Sequence, residues 1–82
     1  MTKEQAVELK RLINQDKRYP TYYSSKAQTM SARVYTYTNN AYDAEAERNA
    51  IDELLAKVPG APYEIKRRTY QGFIHDTDII FK

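Results

Sequence analysis

The stretch at residues 29–38, Thr-Met-Ser-Ala-Arg-Val-Tyr-Thr-Tyr-Thr, decides the fold of this 82-residue chain. It is rich in β-branched and aromatic residues, and its side chains alternate in character with a period of two. Such alternation is typical of a strand with two different faces. One face is small and largely apolar, and carries Met30, Ala32, Val34, Thr36 and Thr38. The other face carries Ser31, Arg33, Tyr35 and Tyr37. We therefore expect a central strand with helices on its first face and water or a partner on its second.

A helix is predicted before this strand. Its apolar stripe recurs at helical spacing and consists of Ala6, Leu9, Leu12 and Ile13. Thr2 and Gln5 have the spacing of a capping box, so the helix should run from about residue 3 to residue 16 or 17. Residues 19–26 mix strand-forming tyrosines with proline and serine. The sequence leaves open whether they form an edge strand or an extended arm before a turn.

A second helix is predicted after the strand, beginning at Asn40 or Asp43 and ending at Pro59-Gly60. Its predicted buried stripe consists of Ala44, Ile51, Leu54, Leu55 and Val58. The charged residues between them predict a solvated face, made of Glu45, Glu47, Arg48, Asp52, Glu53 and Lys57.

The last part of the chain predicts a β-hairpin, with strands at residues 63–70 and 73–81 joined by a turn at Gln71-Gly72. Alternation in the first strand places Tyr63, Ile65, Arg67 and Thr69 on one face, and Glu64, Lys66, Arg68 and Tyr70 on the other. In the second strand it places Phe73, His75, Thr77, Ile79 and Phe81 on one face. A break into two short strands at residues 76–78 is the alternative.

Together these elements predict a single α+β domain over residues 1–82, with the order α-β(β)-α-β-β. The expected architecture is an antiparallel sheet of three to four strands with two helices on one face and a wet opposite face. Seven residues are predicted to be buried together in the core: Leu9, Ile13, Val34, Ile51, Leu55, Ile65 and Ile79.

Composition excludes several kinds of chemistry. There is no cysteine, so neither a disulfide nor a thiolate metal site can form, and a cytoplasmic location is expected. The single histidine, His75, has no second imidazole or cysteine to complete a metal site, and two glycines are too few for a phosphate loop. No apolar run is long enough for a membrane span. We expect no enzyme activity, no catalytic or metal-ligating residue, no cofactor and no small-molecule substrate.

The eight tyrosines and the clustered basic residues predict a binding face instead. It comprises Arg33, Tyr35, Tyr37, Lys66, Arg68 and Tyr70. Tyrosine and arginine are enriched in protein hot spots and also bind nucleic acid, so both partners remain open. The net charge of +2 is mild and favours a protein partner, or a complex that itself handles nucleic acid. Small phage or mobile-element inhibitors of restriction or CRISPR complexes have this general size and composition. Direct binding of nucleic acid is the alternative.

Overall fold

A computed structural model describes residues 1–15, 19–38 and 41–82. It contains two helices, α1 (Lys3–Ile13) and α2 (Ala44–Leu55), and the strands β1 (Thr21–Ser24), β2 (Thr29–Val34), β3 (Tyr37–Thr38), β4 (Ala41–Tyr42), β5 (Tyr63–Tyr70) and β6 (Phe73–Phe81). Four strands form an antiparallel sheet in the order β1-β2-β6-β5, and β3 pairs with β4 in a separate hairpin. The predicted α+β fold with the order α-β-β-α-β-β is confirmed. No helix in the described ranges is long and apolar enough to cross a membrane.

Helix α1 begins with the predicted capping box. The Gln5 N–H donates to Thr2 Oγ1 at 3.2 Å, and the Thr2 N–H donates to Gln5 Oε1 at 2.8 Å. The helix ends at Ile13, with Asn14 as its C-cap, so the predicted continuation is wrong at residues 14 and 15. Its predicted end at residue 16 or 17 lies outside the described residues.

Residues 19–26 include an edge strand, which answers the question left open by the sequence. β1 pairs antiparallel with β2, with Tyr22 opposite Ser31. The connecting turn is closed by the Ala27 N–H, which donates to Ser24 Oγ at 3.1 Å. Gln28 takes a left-handed backbone conformation with φ of 56°. A turn of this kind is what short polar residues favour between two strands.

The predicted single strand over residues 29–38 is wrong in its last part. Pairing of β2 with β6 ends at Val34, opposite Thr77. The Thr36 carbonyl then accepts from the Asp43 N–H at 2.6 Å, and Tyr37 pairs with Tyr42 in the β3–β4 hairpin. The predicted strand end at Asn39-Asn40 lies outside the described residues.

Helix α2 starts at the second of the two predicted positions. Asp43 is its N-cap and accepts from the backbone N–H groups of Glu45 and Ala46, both at 3.0 Å. A carboxylate at this place satisfies N–H groups that have no partner within the helix. The helix ends at Leu55, so the predicted end at Pro59-Gly60 is wrong, and Gly60 instead supplies a φ of 81° in the turn that leads to β5.

The β5–β6 hairpin turns at Gln71 and Gly72, whose φ values of 51° and 83° suit a tight two-residue turn. β6 is continuous, so the alternative of two short strands does not hold. Instead the register shifts: Arg68 lies opposite Asp76, whereas Thr69 lies opposite Ile74, which leaves His75 as an extra residue. This bulge changes the alternation, so the prediction that Phe73 shares a face with Thr77 is wrong.

The core lies between the two helices and the sheet, chiefly over β2 and β6. Its buried apolar residues are Ala6, Ile13, Met30, Ala32, Val34, Ile51, Leu54, Val58, Ile79 and Phe81. Of the predicted core residues, Ile13, Val34, Ile51 and Ile79 are buried, and Leu9 and Leu55 pack against them partly exposed. Ile65 was predicted wrongly, because every residue of β5 is exposed. Ala44, predicted to be buried on α2, is exposed as well.

Candidate docking surface

The face of the sheet opposite the helices carries an ion-pair network centred on two aspartates of β6. Arg33 Nε lies 3.3 Å from Asp78 Oδ1 and 3.9 Å from Asp76 Oδ2. Arg68 Nη1 lies 3.8 Å from the same Asp76 oxygen, and His75 Nε2 lies 3.6 Å from it. Strand order explains the network, because β6 runs between the strands that carry Arg33 and Arg68. Both arginines therefore already have carboxylate partners within the chain.

Aromatic side chains extend from one end of this face. Tyr35 is 68% exposed, Tyr70 67% and Phe73 70%. Tyr35 and Tyr37 flank Thr36, which is fully buried. Because neighbouring side chains in extended backbone point to opposite sides, burial of Thr36 keeps both tyrosine rings outside the core. The exposure of these rings is therefore a result of how the chain is anchored after β2.

His75 joins these rings into one surface. Its ring meets that of Tyr37 edge to face, with centroids 5.9 Å apart. It also lines three adjoining open grooves, one beside Arg33 and Tyr35, one beside Phe73 and Tyr70, and one beside Arg68. We call the set Tyr35, Tyr37, Tyr70, Phe73 and His75 the aromatic end.

The structure brings five of the six predicted site residues to this region. Arg33, Tyr35 and Tyr37 line one groove, while Arg68 and Tyr70 line another. Lys66 is the exception. It lies two residues before Arg68 on β5, on the same face, with Asp78 opposite it in register. Lys66 is therefore part of the sheet face but lines none of the three grooves at the aromatic end.

Sequence reasoning missed Phe73, His75 and Asp76. Strict alternation assigned Phe73 and His75 to the core side of β6, and the bulge overturns that assignment. The available signal was the polar group His-Asp-Thr-Asp at residues 75–78, which interrupts an apolar strand. Bulges often lie where a strand changes its course, and here the change places Phe73 opposite Tyr70.

A buried polar cluster lies on the other side of the sheet. Arg67 Nε donates to Glu47 Oε2 at 3.0 Å, and Arg67 Nη2 donates to Glu47 Oε1 at 2.6 Å. Thr77 Oγ1 donates to Glu47 Oε2 at 2.8 Å. Glu47 is only 5% exposed, so its predicted place on a solvated helix face is wrong. We call this two-pronged contact the Arg67–Glu47 fork. It connects the exposed strand β5 to α2, whereas β2 contacts the helices through buried apolar side chains.

Hydrogen bonding sets the charge state of the buried cluster. The two-pronged contact with the Arg67 guanidinium holds the pKa of Glu47 below its usual value, with smaller contributions from the hydroxyls of Thr77 and Tyr42. The same contact raises the pKa of Arg67. Glu47 thus stays ionised, because its charged form accepts every one of these hydrogen bonds.

The described residues contain no group of three or more His, Asp or Glu side chains placed to hold a metal ion. Comparison of the chain with protein-family models, with curated proteins and with solved structures finds no match. The aromatic end and the charges around it are therefore the features of the molecule that bear on function.

Proposed function

We propose that this chain is a small non-enzymatic binding protein that docks onto another protein through its aromatic end. The observation that carries the proposal is the joint exposure of Tyr35, Tyr70 and Phe73 beside two arginines. A cluster of exposed rings costs free energy in water unless a partner covers it, and such patches mark interaction sites. Tyrosine loses little conformational entropy on binding and offers both an apolar ring and a hydroxyl.

Charge favours a protein partner over nucleic acid. The open sheet face carries four basic side chains, Arg33, Lys66, Arg68 and Lys82, and three acidic ones, Glu64, Asp76 and Asp78. Binding to phosphates needs unpaired cations that can replace counterions. Asp76 and Asp78 already neutralise both arginines and would lie close to any phosphate bound there. Alternating charges of both signs suit the polar rim of a protein interface better.

More specifically, we propose that the chain is an inhibitor or accessory factor of a complex that handles nucleic acid. Phage and mobile-element proteins that act on restriction or CRISPR complexes are of this type. Small size, mild positive charge and an exposed aromatic end support it, since occluding a larger machine needs a surface and no catalytic group. The lack of cysteine supports action in the cytoplasm, where thiols are kept reduced. Direct binding of nucleic acid by the same face is the competing proposal.

Affinity capture from host lysate with matched variants tests the docking proposal. The bait is the whole chain, compared with Tyr70→Ala and Phe73→Ala, and captured proteins are quantified by mass spectrometry. Each substitution removes an exposed ring, so we expect folding to be retained and the affinity to fall by about 1–2 kcal/mol or more, the scale of a hot spot. Tyr22→Ala is the control, because Tyr22 is 71% exposed and lines a groove with Arg33 and Asp78 but none of the three grooves at the aromatic end.

Nuclease treatment of the same lysate separates the two proposals. A partner that persists after nuclease, and is lost with Phe73→Ala but kept with Tyr22→Ala, supports protein docking. A partner lost with nuclease supports the nucleic-acid alternative. Equal capture by all four proteins would show that the aromatic end is not the docking surface.

A further inference from the structure

Within the described residues, no strand pairs with the outer edge of strand β5. It is the outermost strand of the sheet, it is eight residues long, and all eight are exposed. On the helix side of the sheet, Tyr63 is 45% exposed and Ile65 38% exposed, so apolar surface lies next to free backbone groups. An edge of this kind is a template for pairing with another strand.

The hydrogen-bond pattern shows which residues offer that edge. The Lys82 N–H donates to the Pro62 carbonyl at 3.2 Å, which places residue 62 in a hydrogen-bonded pair with β6. In an antiparallel ladder such pairs alternate, so Glu64, Lys66 and Arg68 turn their backbone groups toward β6. The N–H and C=O groups of Tyr63, Ile65 and Arg67 therefore point outward, away from the sheet.

We propose that the occupant of this edge is a second copy of the chain, whose β5 pairs antiparallel about a twofold axis at Ile65. In this register Ile65 lies opposite its own copy, and Tyr63 lies opposite Arg67 of the copy. All three residues have outward-pointing backbone groups, so their ladder bonds can form without breaking any bond to β6. The result is a continuous eight-stranded sheet.

Charge complementarity favours this register. On the open face, Glu64 of each copy lies opposite Lys66 of the other, giving two oppositely charged cross-strand pairs. Glu64 Oε2 also lies 3.3 Å from Lys82 Nζ of its own chain, so the carboxylate is shared between two cations. On the helix side, the Tyr63 rings face Arg67, whose guanidinium is held by Glu47 and can stack on an aromatic face. A register centred on Lys66 would place that cation opposite itself. Isologous pairing of this kind closes after two copies.

Cations on an edge strand ordinarily deter pairing, and β5 has three in a row. Here Arg67 is bound to Glu47, Arg68 lies near Asp76, and Asp78 lies opposite Lys66. Their repulsion is therefore reduced before the second copy arrives. The aromatic end lies beyond the paired segment, so a dimer would present two docking surfaces. This inference does not depend on what those surfaces bind.

Sedimentation at increasing protein concentration tests the dimer, and charge exchange tests its register. We expect a mass that rises from 9.6 kDa to twice that value. Glu64→Lys and Lys66→Glu each replace two attractive pairs by two repulsive ones and should each raise the dissociation constant by roughly tenfold or more. An equal mixture of the two variants restores both pairs and should dimerise like the unaltered chain. Lys26→Glu, in the β1–β2 turn, is the control for charge.

The outcomes are distinct. Restored association in the mixture, with thermal melts showing that each variant is folded, supports pairing about Ile65. A chain that stays monomeric at every concentration overturns the proposal, and the β5 edge would then be open to a strand of another protein. So does a dimer that is lost with Phe73→Ala but unaffected by the β5 variants, because it would form through the aromatic end.

Discussion

Strands β2 and β5 flank β6 on its two sides, yet β2 is buried on one face and β5 is exposed on both. In β2 every second residue, Met30, Ala32 and Val34, is buried under the helices. In β5 the residues on the helix side of the sheet are Tyr63, Ile65, Arg67 and Thr69, and all four are exposed. The difference is one of composition on one face, since two apolar residues followed by two polar ones offer little for a helix to cover. The chain secures β5 to α2 by the Arg67–Glu47 fork instead.

The comparison predicts its largest effect for a matched pair of substitutions. Met30→Ala in β2 should lower the free energy of unfolding by about 2–5 kcal/mol, because Met30 is fully enclosed and truncation leaves a cavity. At concentrations where the chain is monomeric, Ile65→Ala in β5 should lower it by less than about 1 kcal/mol, because the side chain is already partly in water. Urea denaturation measures both. Equal losses would mean that β5 is covered in solution, as it would be in the proposed dimer, and dilution distinguishes that case.

The next largest effect concerns the fork that replaces apolar packing. Glu47→Gln should destabilise the fold by about 1–3 kcal/mol, because it leaves the Arg67 guanidinium without its carboxylate and weakens the hydrogen bond from Thr77. Arg67 is partly exposed, so water compensates for some of the loss. Glu45→Gln is the control, since it makes the same chemical change at an exposed place on the same helix. A loss no larger than that of the control would show that the fork contributes nothing to stability.

The fork also predicts how stability depends on pH. The folded-state pKa of Glu47 lies below its ordinary value of about 4.5, because the charged form accepts hydrogen bonds from Arg67. The stabilisation is therefore complete above about pH 4.5 and is lost as the pH falls through the folded-state pKa. Melting temperatures of the unaltered chain and of Glu47→Gln should converge as acid is added below pH 4.5. Parallel curves would contradict the assignment.

Much of the fold could be predicted from local sequence signals. The capping box at Thr2, the N-cap Asp43 and the Gln71-Gly72 turn each depend on residues a few positions apart. Their chemistry is visible without a structure. The alternation at residues 29–34 likewise assigned each side chain of β2 to the correct face.

The predictions that were wrong concern features that depend on contacts between distant parts of the chain. Alternation places Ile65 on a face but does not say whether a helix covers that face, and here Ile65 is left exposed. Burial of Glu47 depends on Arg67, which is 20 residues away in sequence. The bulge at His75 depends on the register between β5 and β6. The binding face stays a prediction; its residues come from β2, β3, β5 and the segment between β2 and β3, and Phe73 and His75 could be added only once that register was known.

The smallest expected change in stability concerns the open face that β2 and β5 share. Replacing Asp76 and Asp78 by asparagine should alter the free energy of unfolding by only about 1 kcal/mol. Asp76 is itself buried, but asparagine keeps its shape, and the side chains of Arg33 and Arg68 are 37% and 47% exposed and can turn to water. The effect on binding of nucleic acid should be larger than the effect on stability. Without the two carboxylates, Arg33 and Arg68 become free cations beside exposed rings, a combination that suits single-stranded nucleic acid.

We therefore expect the double variant to bind single-stranded oligonucleotides at low salt more tightly than the unaltered chain. Each additional phosphate that an arginine neutralises should steepen the log–log dependence of affinity on salt by roughly 0.7. Glu45→Gln/Asp52→Asn makes the same change in net charge at exposed positions on α2 and should produce no such affinity, since α2 lies on the other face of the sheet. Fluorescence anisotropy across a salt series compares the three proteins. If the unaltered chain already binds as tightly as the double variant, the aspartates do not keep nucleic acid from this face, and direct binding becomes the better explanation of the aromatic end.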